Sequence, residues 1–175
     1  MPEIEITGAL ARMLLILLAS FVIFLHLLWW FFVAKLSVDN IEKRAVLVTG
    51  SGSGFGKAFV GKCLDEGMTV FAGCHRQVSA DKLIEEFKGK KGHLEAFQMD
   101  VTSDESVNKT KEFIEKKLQT LKKEFWAVVN NAGAYEPCLC DAFADLDLYK
   151  RMMEVNGYGV IRVTHAFRPL IKRSK

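Results

Sequence analysis

The chain has 175 residues, half of them hydrophobic, and 24 basic against 21 acidic side chains give a net charge of +3. That is enough chain for one domain with a real core, and the near balance of charge gives no case for nucleic acid as a partner. The four cysteines, Cys63, Cys74, Cys138 and Cys140, form no disulfide framework, and Cys138-Leu139-Cys140 lacks a second cluster to complete a metal site, so no metal is expected.

The hydrophobic excess sits at the start. Met13–Val33 is interrupted only by Ser20 and His26, and as a helix it would be about 30 Å long, the thickness of a bilayer core. A cleaved signal would end in small residues, whereas this run ends Leu28-Trp29-Trp30-Phe31-Phe32. A core helix or an interfacial helix would carry a polar or charged face, and none is present. The reading is an uncleaved anchor over residues 1–36 (helix about 13–33), a linker over 37–44 and a domain over 45–175, with the lipid bilayer as partner. Trp29 and Trp30 suit the headgroup boundary. Lys35, Lys43 and Arg44 after the span, against Arg12 before it, place the domain on the cytosolic side.

Beyond the linker, Ala45–Thr49 reads as a strand covered on both faces. A helix follows whose apolar stripe is Phe55, Ala58, Phe59, Cys63 and Leu64, stopped by Gly67. Thr69–Cys74 is a second strand, Ala80–Phe87 a short helix and Leu94–Met99 a third strand. Ser103-Asp104-Glu105-Ser106 opens a helix to about Lys123, with Val107, Ile114, Leu118 and Leu121 inward. Phe125–Val129 is a fourth strand. Asp145–Arg151 is helical, and Met152–Ile171 is a longer helix despite Pro169. The lysines of 88–91 and 116–123 read as solvated faces and turns. Strands alternating with helices predict crossover connections and a doubly wound parallel α/β sheet.

The most informative segment is Thr49-Gly50-Ser51-Gly52-Ser53-Gly54-Phe55-Gly56. It joins strand to helix through glycines, and such a turn offers bare backbone and a helix N-terminus to a phosphate. A Walker A loop fails, because Ser51 replaces its first glycine and Ala58 its hydroxyl residue. The Gly-x-Gly-x-x-Gly pattern also fails, since its third glycine would fall on Phe55 or Lys57. A methyltransferase loop fits Val46–Gly52 loosely, with Thr49 where an acid is usual, and adenosylmethionine stays open as an alternative ligand.

The spacing Thr49-Gly50-x-x-x-Gly54-x-Gly56 resembles the short-chain dehydrogenase/reductase family. Asp100-Val101, Asn130-Asn131-Ala132-Gly133 and Val155-Asn156-Gly157-Tyr158 resemble three further family elements in the same order. The resemblance runs from about Lys43 onward. It is nearest to the membrane-associated retinol and 17-beta-hydroxysteroid dehydrogenases. It implies a Rossmann-type fold, an NAD(P)-dependent oxidoreductase, and a lipophilic alcohol or ketone as substrate of the complete enzyme. An endoplasmic-reticulum membrane location and a homodimer paired through the Met152–Ile171 helix go with it. The implied cofactor contacts are Gly50, Ser51, Ser53, Gly54, Phe55, Gly56, His75, Arg76, Asp100, Val101, Asn130, Ala132 and Gly133, with Asp100 receiving the adenine amino group. Gly56 is expected to let the first helix pack close to the sheet. Asn156 corresponds to the family's catalytic asparagine, which orders a water in the proton path. No acid ends the second strand, and Arg76 there leans the cofactor toward NADP over NAD.

The family's serine and Tyr-x-x-x-Lys pair have no counterpart. Leu139, Met153 and Arg162 stand four places after Tyr135, Tyr149 and Tyr158. The expectation is an N-terminal fragment, with the sheet truncated after its fourth strand, marginally stable and unable to catalyse on its own. The alternative is a non-catalytic nucleotide-binding or dimerisation module.

Overall fold

The structure, a computed structural model, describes residues 2–34, 39–136 and 145–173. The chain forms two units, Met1–Asp39 and Asn40–Lys175.

The first unit is one helix, α1, Pro2–Ala34, which begins ahead of the apolar run that starts at Met13. Arg12–Val33 has a mean hydropathy of 2.5, and none of it is buried. A helix of that length and composition is long and apolar enough to cross a membrane.

The second unit is a four-stranded parallel sheet with helices on both faces. After a single 3-10 turn at Ile41–Lys43 come β1 (Arg44–Thr49), α2 (Gly54–Asp65), β2 (Thr69–Cys74), α3 (Gln77–Glu86), β3 (His93–Gln98), α4 (Asp104–Leu121) and β4 (Glu124–Val129). α5 (Leu146–Met153) then runs through a π-helical segment, Glu154–Gly159, into α6 (Val160–Arg173). The strand order is β3-β2-β1-β4. The chain therefore winds outward from β1 in one direction and returns to its other side for β4, and these are the four strands of the expected fold. No strand covers the far edge of β4 among the described residues.

Alternation along β1 builds two cores. Ala45 and Leu47 meet Phe71, Val107, Ile114, Phe125, Val163 and Phe167, on the face covered by α4 and α6. Val46 and Val48 meet Val60, Leu64, Val70, Ala80 and Leu83, on the face covered by α2 and α3. Phe125 and Phe167 stack at 5.5 Å between ring centres, a pairing that fastens β4 to α6. Cys63 and Cys74 pack inside as small apolar groups, as their neighbours in sequence suggest, and burial pushes the Cys74 thiol up to about 11.

Two local features differ from the sequence reading. The buried face of α2 is Gly56, Val60, Gly61, Cys63 and Leu64, not the stripe led by Phe55 and Phe59, which are both exposed. Glycines, with no side chain to intervene, are where this helix comes closest to its neighbours. Between β1 and β4 the register shifts from Ala45↔Phe125 to Val46↔Ala127. Trp126 is left as an extra residue in a bulge, 39% exposed.

Candidate functional site

Where β1 and β4 leave the sheet side by side, the winding reverses, and a crevice opens at the strand ends. One wall is the turn from Gly50 to Ser53. Gly50 has φ +65°, and a Cβ there would sit 2.6 Å from the Ala132 Cα, so only glycine fits. Gly54 has φ +56°, but a Cβ there would meet nothing within 4 Å: it faces open space. The side chain of Ser53, the N-cap of α2, bonds no backbone N–H. The first N–H groups of α2 therefore have neither an intrahelical partner nor a cap from the Ser53 side chain.

The turn is held by two side chains. Thr49 Oγ1 accepts from the backbone N–H groups of Asn131 at 3.1 Å and Ala132 at 3.0 Å, and donates to the Val129 carbonyl at 3.4 Å. The Asn131 amide donates to the carbonyls of Thr49 and Gly50, both at 3.0 Å. Gly56 makes room for that amide, since a Cβ there would lie 2.3 Å from Asn131 Nδ2 and 2.6 Å from the Gly50 carbonyl oxygen. The close packing expected at Gly56 thus occurs, with Asn131 and the Gly50 carbonyl as the surfaces packed against.

The crevice has two lobes. A polar lobe of about 660 Å³ lies against Gly50, Ser53, Phe55, His75, Arg76 and Gly133. A more apolar lobe of about 350 Å³ lies against Met99, Asp100, Val101, Ala132, Ala134 and Val155, and the lobes share Gly50, His75 and Gly133. At the rim, Asp100 Oδ1 accepts from the Thr102 N–H at 2.9 Å and its hydroxyl at 2.8 Å. The Ser106 hydroxyl accepts the Asp100 N–H, and Ser103 caps α4. Partial burial raises the Asp100 carboxyl, but the Thr102 bonds outweigh it, helped by His75 and Arg162, and hold it below its usual range. The Arg76 guanidinium has no partner among the described residues and borders the polar lobe, with Ser79 beside it.

The floor is fastened from the other side. Asn156, in the π segment, grips Ala134 by both ends: its amide donates to the Ala134 carbonyl at 2.9 Å, and its oxygen accepts the Ala134 N–H at 2.8 Å. Arg162 donates to the Val101 carbonyl at 2.8 Å and to Asp104 at 2.6 Å, tying α6 to the loop after β3.

Most of the residues singled out from the sequence meet at this crevice: Gly50, Ser53, Phe55, His75, Arg76, Asp100, Val101, Ala132 and Gly133 all line it. Gly54 faces open space and Gly56 lies beneath the turn. Three differ from expectation. Ser51 is fully buried, its hydroxyl donating to the Val48 carbonyl and its N–H to the Gly73 carbonyl, so it offers no donor outward. Asn130 turns its amide to the Thr164 hydroxyl on α6, away from both lobes. The side chain of Asn156 is fully engaged with Ala134, so it positions the strand exit rather than reaching into the crevice. Sequence reading also missed the holding roles of Thr49, Asn131 and Arg162. For the first two a signal exists, since each adjoins a glycine-bearing turn at the end of neighbouring strands. Cys138 and Cys140 lie outside the described residues.

A parallel sheet with an open glycine crevice at its switch point defines an α/β protein of the Rossmann type. The sequence pattern of the short chain dehydrogenase family matches residues 44–175, and the chain belongs to that family. It is 36% identical over 164 residues to the 3beta-hydroxysteroid dehydrogenase dhs-16 of Caenorhabditis elegans, covering 92% of this chain and 42% of that protein. It is 39% identical over 141 residues to the mitochondrial D-beta-hydroxybutyrate dehydrogenase of Bos taurus, covering 79% of this chain and 40% of that protein. The chain thus spans about two fifths of the length of these relatives. In structure it resembles a 3-ketoacyl-(acyl-carrier-protein) reductase from Brucella melitensis complexed with NADH, with a TM-score of 0.65 and 23% identity, covering 77% of this chain and 52% of that one.

Proposed function

We propose that this chain supplies the dinucleotide-binding part of a membrane-anchored, NAD(P)-dependent oxidoreductase acting on a hydroxyl-bearing lipophilic substrate of the hydroxysteroid type. The observation that carries this reading is the open cradle at Gly54. Positive φ, empty space where a side chain would stand and helix N–H groups without a side-chain cap together suit an anionic group such as a diphosphate. Gly50, Ser53, Gly54, Phe55 and Gly133 would hold the diphosphate and the adjoining sugars. Asp100 and Val101 would meet the adenine. When bound, the nicotinamide would supply a hydride acceptor for a carbinol carbon; the proton of the hydroxyl would need a general base that these 175 residues do not offer as a Tyr-x-x-x-Lys pair.

The cofactor leans to NADP. Arg76 borders the polar lobe unpaired, the Ser79 hydroxyl stands beside it, and β2 ends Gly73-Cys74-His75 with no carboxylate to repel a 2′-phosphate. The substrate class rests on the relatives' names and on α1. Hydroxysteroid and hydroxybutyrate share a hydroxyl, and an apolar anchor favours the lipophilic member of that pair. Residues 1–36 would anchor the chain in the endoplasmic-reticulum membrane, with residues 45–175 in the cytosol.

The 175 residues hold no Tyr-x-x-x-Lys pair, so these residues by themselves are expected to bind cofactor without turnover. The second reading, a nucleotide-binding or dimerisation module, is favoured by the exposed Tyr158 and Ile161 along a groove between α4 and α6. Calorimetry on the detergent-solubilised chain with NADP, NAD and adenosylmethionine tests the site. NADP should bind best, and Arg76→Ala should lower its affinity about tenfold while leaving NAD within about twofold. Tighter binding of adenosylmethionine would overturn the oxidoreductase reading. Oxidation of a steroid alcohol by this chain would overturn catalytic silence.

A further inference from the structure

The parallel register brings the four strand starts into line, Ala45 beside Thr69 and Phe125, and Thr69 beside His93. The segments that lead into those strands therefore share one end of the domain, opposite the crevice. That end carries Lys43, Lys88, Lys91 and Lys122, all exposed and without an ion pair among the described residues. The end of α6 joins them: Leu170 and Arg173 line the same hollow as Lys123, Glu124 and Phe125, and Lys172 is exposed beside them.

The acids interleaved there are largely taken up. Glu124 pairs with Arg44 at 3.1 Å, Asp65 with Lys90 at 2.6 Å and Glu86 with Lys57 at 2.7 Å. Glu42, Glu66 and Glu85 remain, fewer than the free lysines. The bulge in β4 adds an indole, since Trp126 turns outward at this same end. Basic side chains around an exposed tryptophan suit a headgroup layer, where the charges meet anionic lipid and the ring takes the boundary.

Chain connectivity says which partner is at hand. Residues 35–43 separate α1 from β1, so this end begins no more than about 30 Å of extended chain from the end of the apolar helix. We propose that the strand-start end of the domain docks on an anionic bilayer surface, Lys88, Lys91, Lys122 and Lys172 against headgroups and Trp126 at their depth, leaving the crevice turned away from the lipid. This inference rests on α1 being a membrane anchor.

The test uses the whole chain with Trp29→Phe and Trp30→Phe, which leaves Trp126 as its one tryptophan. It is placed in nanodiscs whose lipids are brominated near the headgroup. Trp126 emission should be quenched at least about twofold more strongly with phosphatidylserine present than in phosphatidylcholine alone, and high salt should remove the difference. Lys88→Glu, Lys91→Glu and Lys122→Glu together should abolish the extra quenching with near-ultraviolet circular dichroism unchanged, because these lysines hold no ion-pair partner among the described residues. If the near-ultraviolet signal is lost, Lys→Gln at the same positions takes its place, with the same expectation.

Absent or charge-independent quenching in a chain that resists alkaline carbonate extraction would overturn the docking face while leaving the anchor standing. Release by carbonate would overturn the anchor itself. A change in Trp126 emission that follows the number of chains per disc, whatever the lipid, would assign the face to a second copy and overturn the proposal.

Discussion

Gly54 and Gly56 lie two residues apart on the same turn, yet the structure assigns them opposite sensitivities. In Gly56→Ala the new methyl would stand 2.3 Å from Asn131 Nδ2 and 2.6 Å from the Gly50 carbonyl oxygen. The amide must leave, and with it the two 3.0 Å bonds to Thr49 and Gly50. Two such bonds contribute about 2 kcal/mol net. Overpacking against backbone costs about 1–3 kcal/mol, and the better helix propensity of alanine returns up to about 1 kcal/mol. The net loss is about 3 kcal/mol, a fall in Tm of about 10 °C for a domain of this size. Gly54→Ala meets nothing within 4 Å and carries only its left-handed backbone strain, about 1 kcal/mol. Its methyl, however, projects into the cradle, so dinucleotide affinity should fall more than about tenfold. Thermal unfolding by near-ultraviolet circular dichroism and calorimetry on both variants separate the two effects. The cycle with Asn131→Ala sharpens the test, because the Gly56→Ala penalty should shrink by about 1 kcal/mol or more once the amide is gone. A Gly56→Ala penalty below about 0.5 kcal/mol, or strict additivity with Asn131→Ala, would refute the clamp.

Asp100 has a carboxyl held below its ordinary range, so its contribution is complete above the unfolded value and is lost as pH falls through the folded one. Urea unfolding should therefore show a stability loss below about pH 4 that Asp100→Asn lessens, and identical acid limbs would contradict the Thr102 bonds as its cause. Cys74, fully buried with its thiol raised to about 11, should resist iodoacetamide at neutral pH until the domain unfolds, as read by mass spectrometry of its peptide. Asn156→Ala removes both bonds to Ala134. It should lower stability by about 2 kcal/mol and speed amide exchange across residues 130–136, whereas a purely catalytic role would leave that exchange unchanged.

The strands β1 and β2, the capping signal at Ser103 and the glycine spacing at 50, 54 and 56 were legible because each depends on neighbours in sequence. The α2 stripe was misread for a physical reason. Counting apolar residues rewards Phe55 and Phe59, while the helix approaches its surroundings through Gly56 and Gly61, which carry no apolar signal. Asn130 and Asn131 are identical in chemistry and adjacent in sequence. Only the pleat of β4 decides that the first turns to Thr164 and the second to Gly50. The bulge at Trp126 and the Arg162 tie depend on partners some sixty to eighty residues away, beyond any local pattern. The crevice is open and Asp100 borders it, but Asn130, expected at the cofactor, turns to Thr164, and Asn131 instead holds the turn at Gly50.

The Glu154–Gly159 segment winds wider than the helices on either side of it, so it takes in an additional residue between α5 and α6. Rewound as a regular helix with every residue kept, the same stretch would swing everything downstream by about 100°. Val163, Phe167 and Leu170 would leave the sheet, and Arg162, Ala166 and Pro169 would turn toward it. The loose coil is thus a phase-setter: it lets one stretch of chain aim Asn156 at Ala134 and, a few residues on, aim a hydrophobic row at β4, two directions that an unbroken 3.6-residue repeat would not serve together.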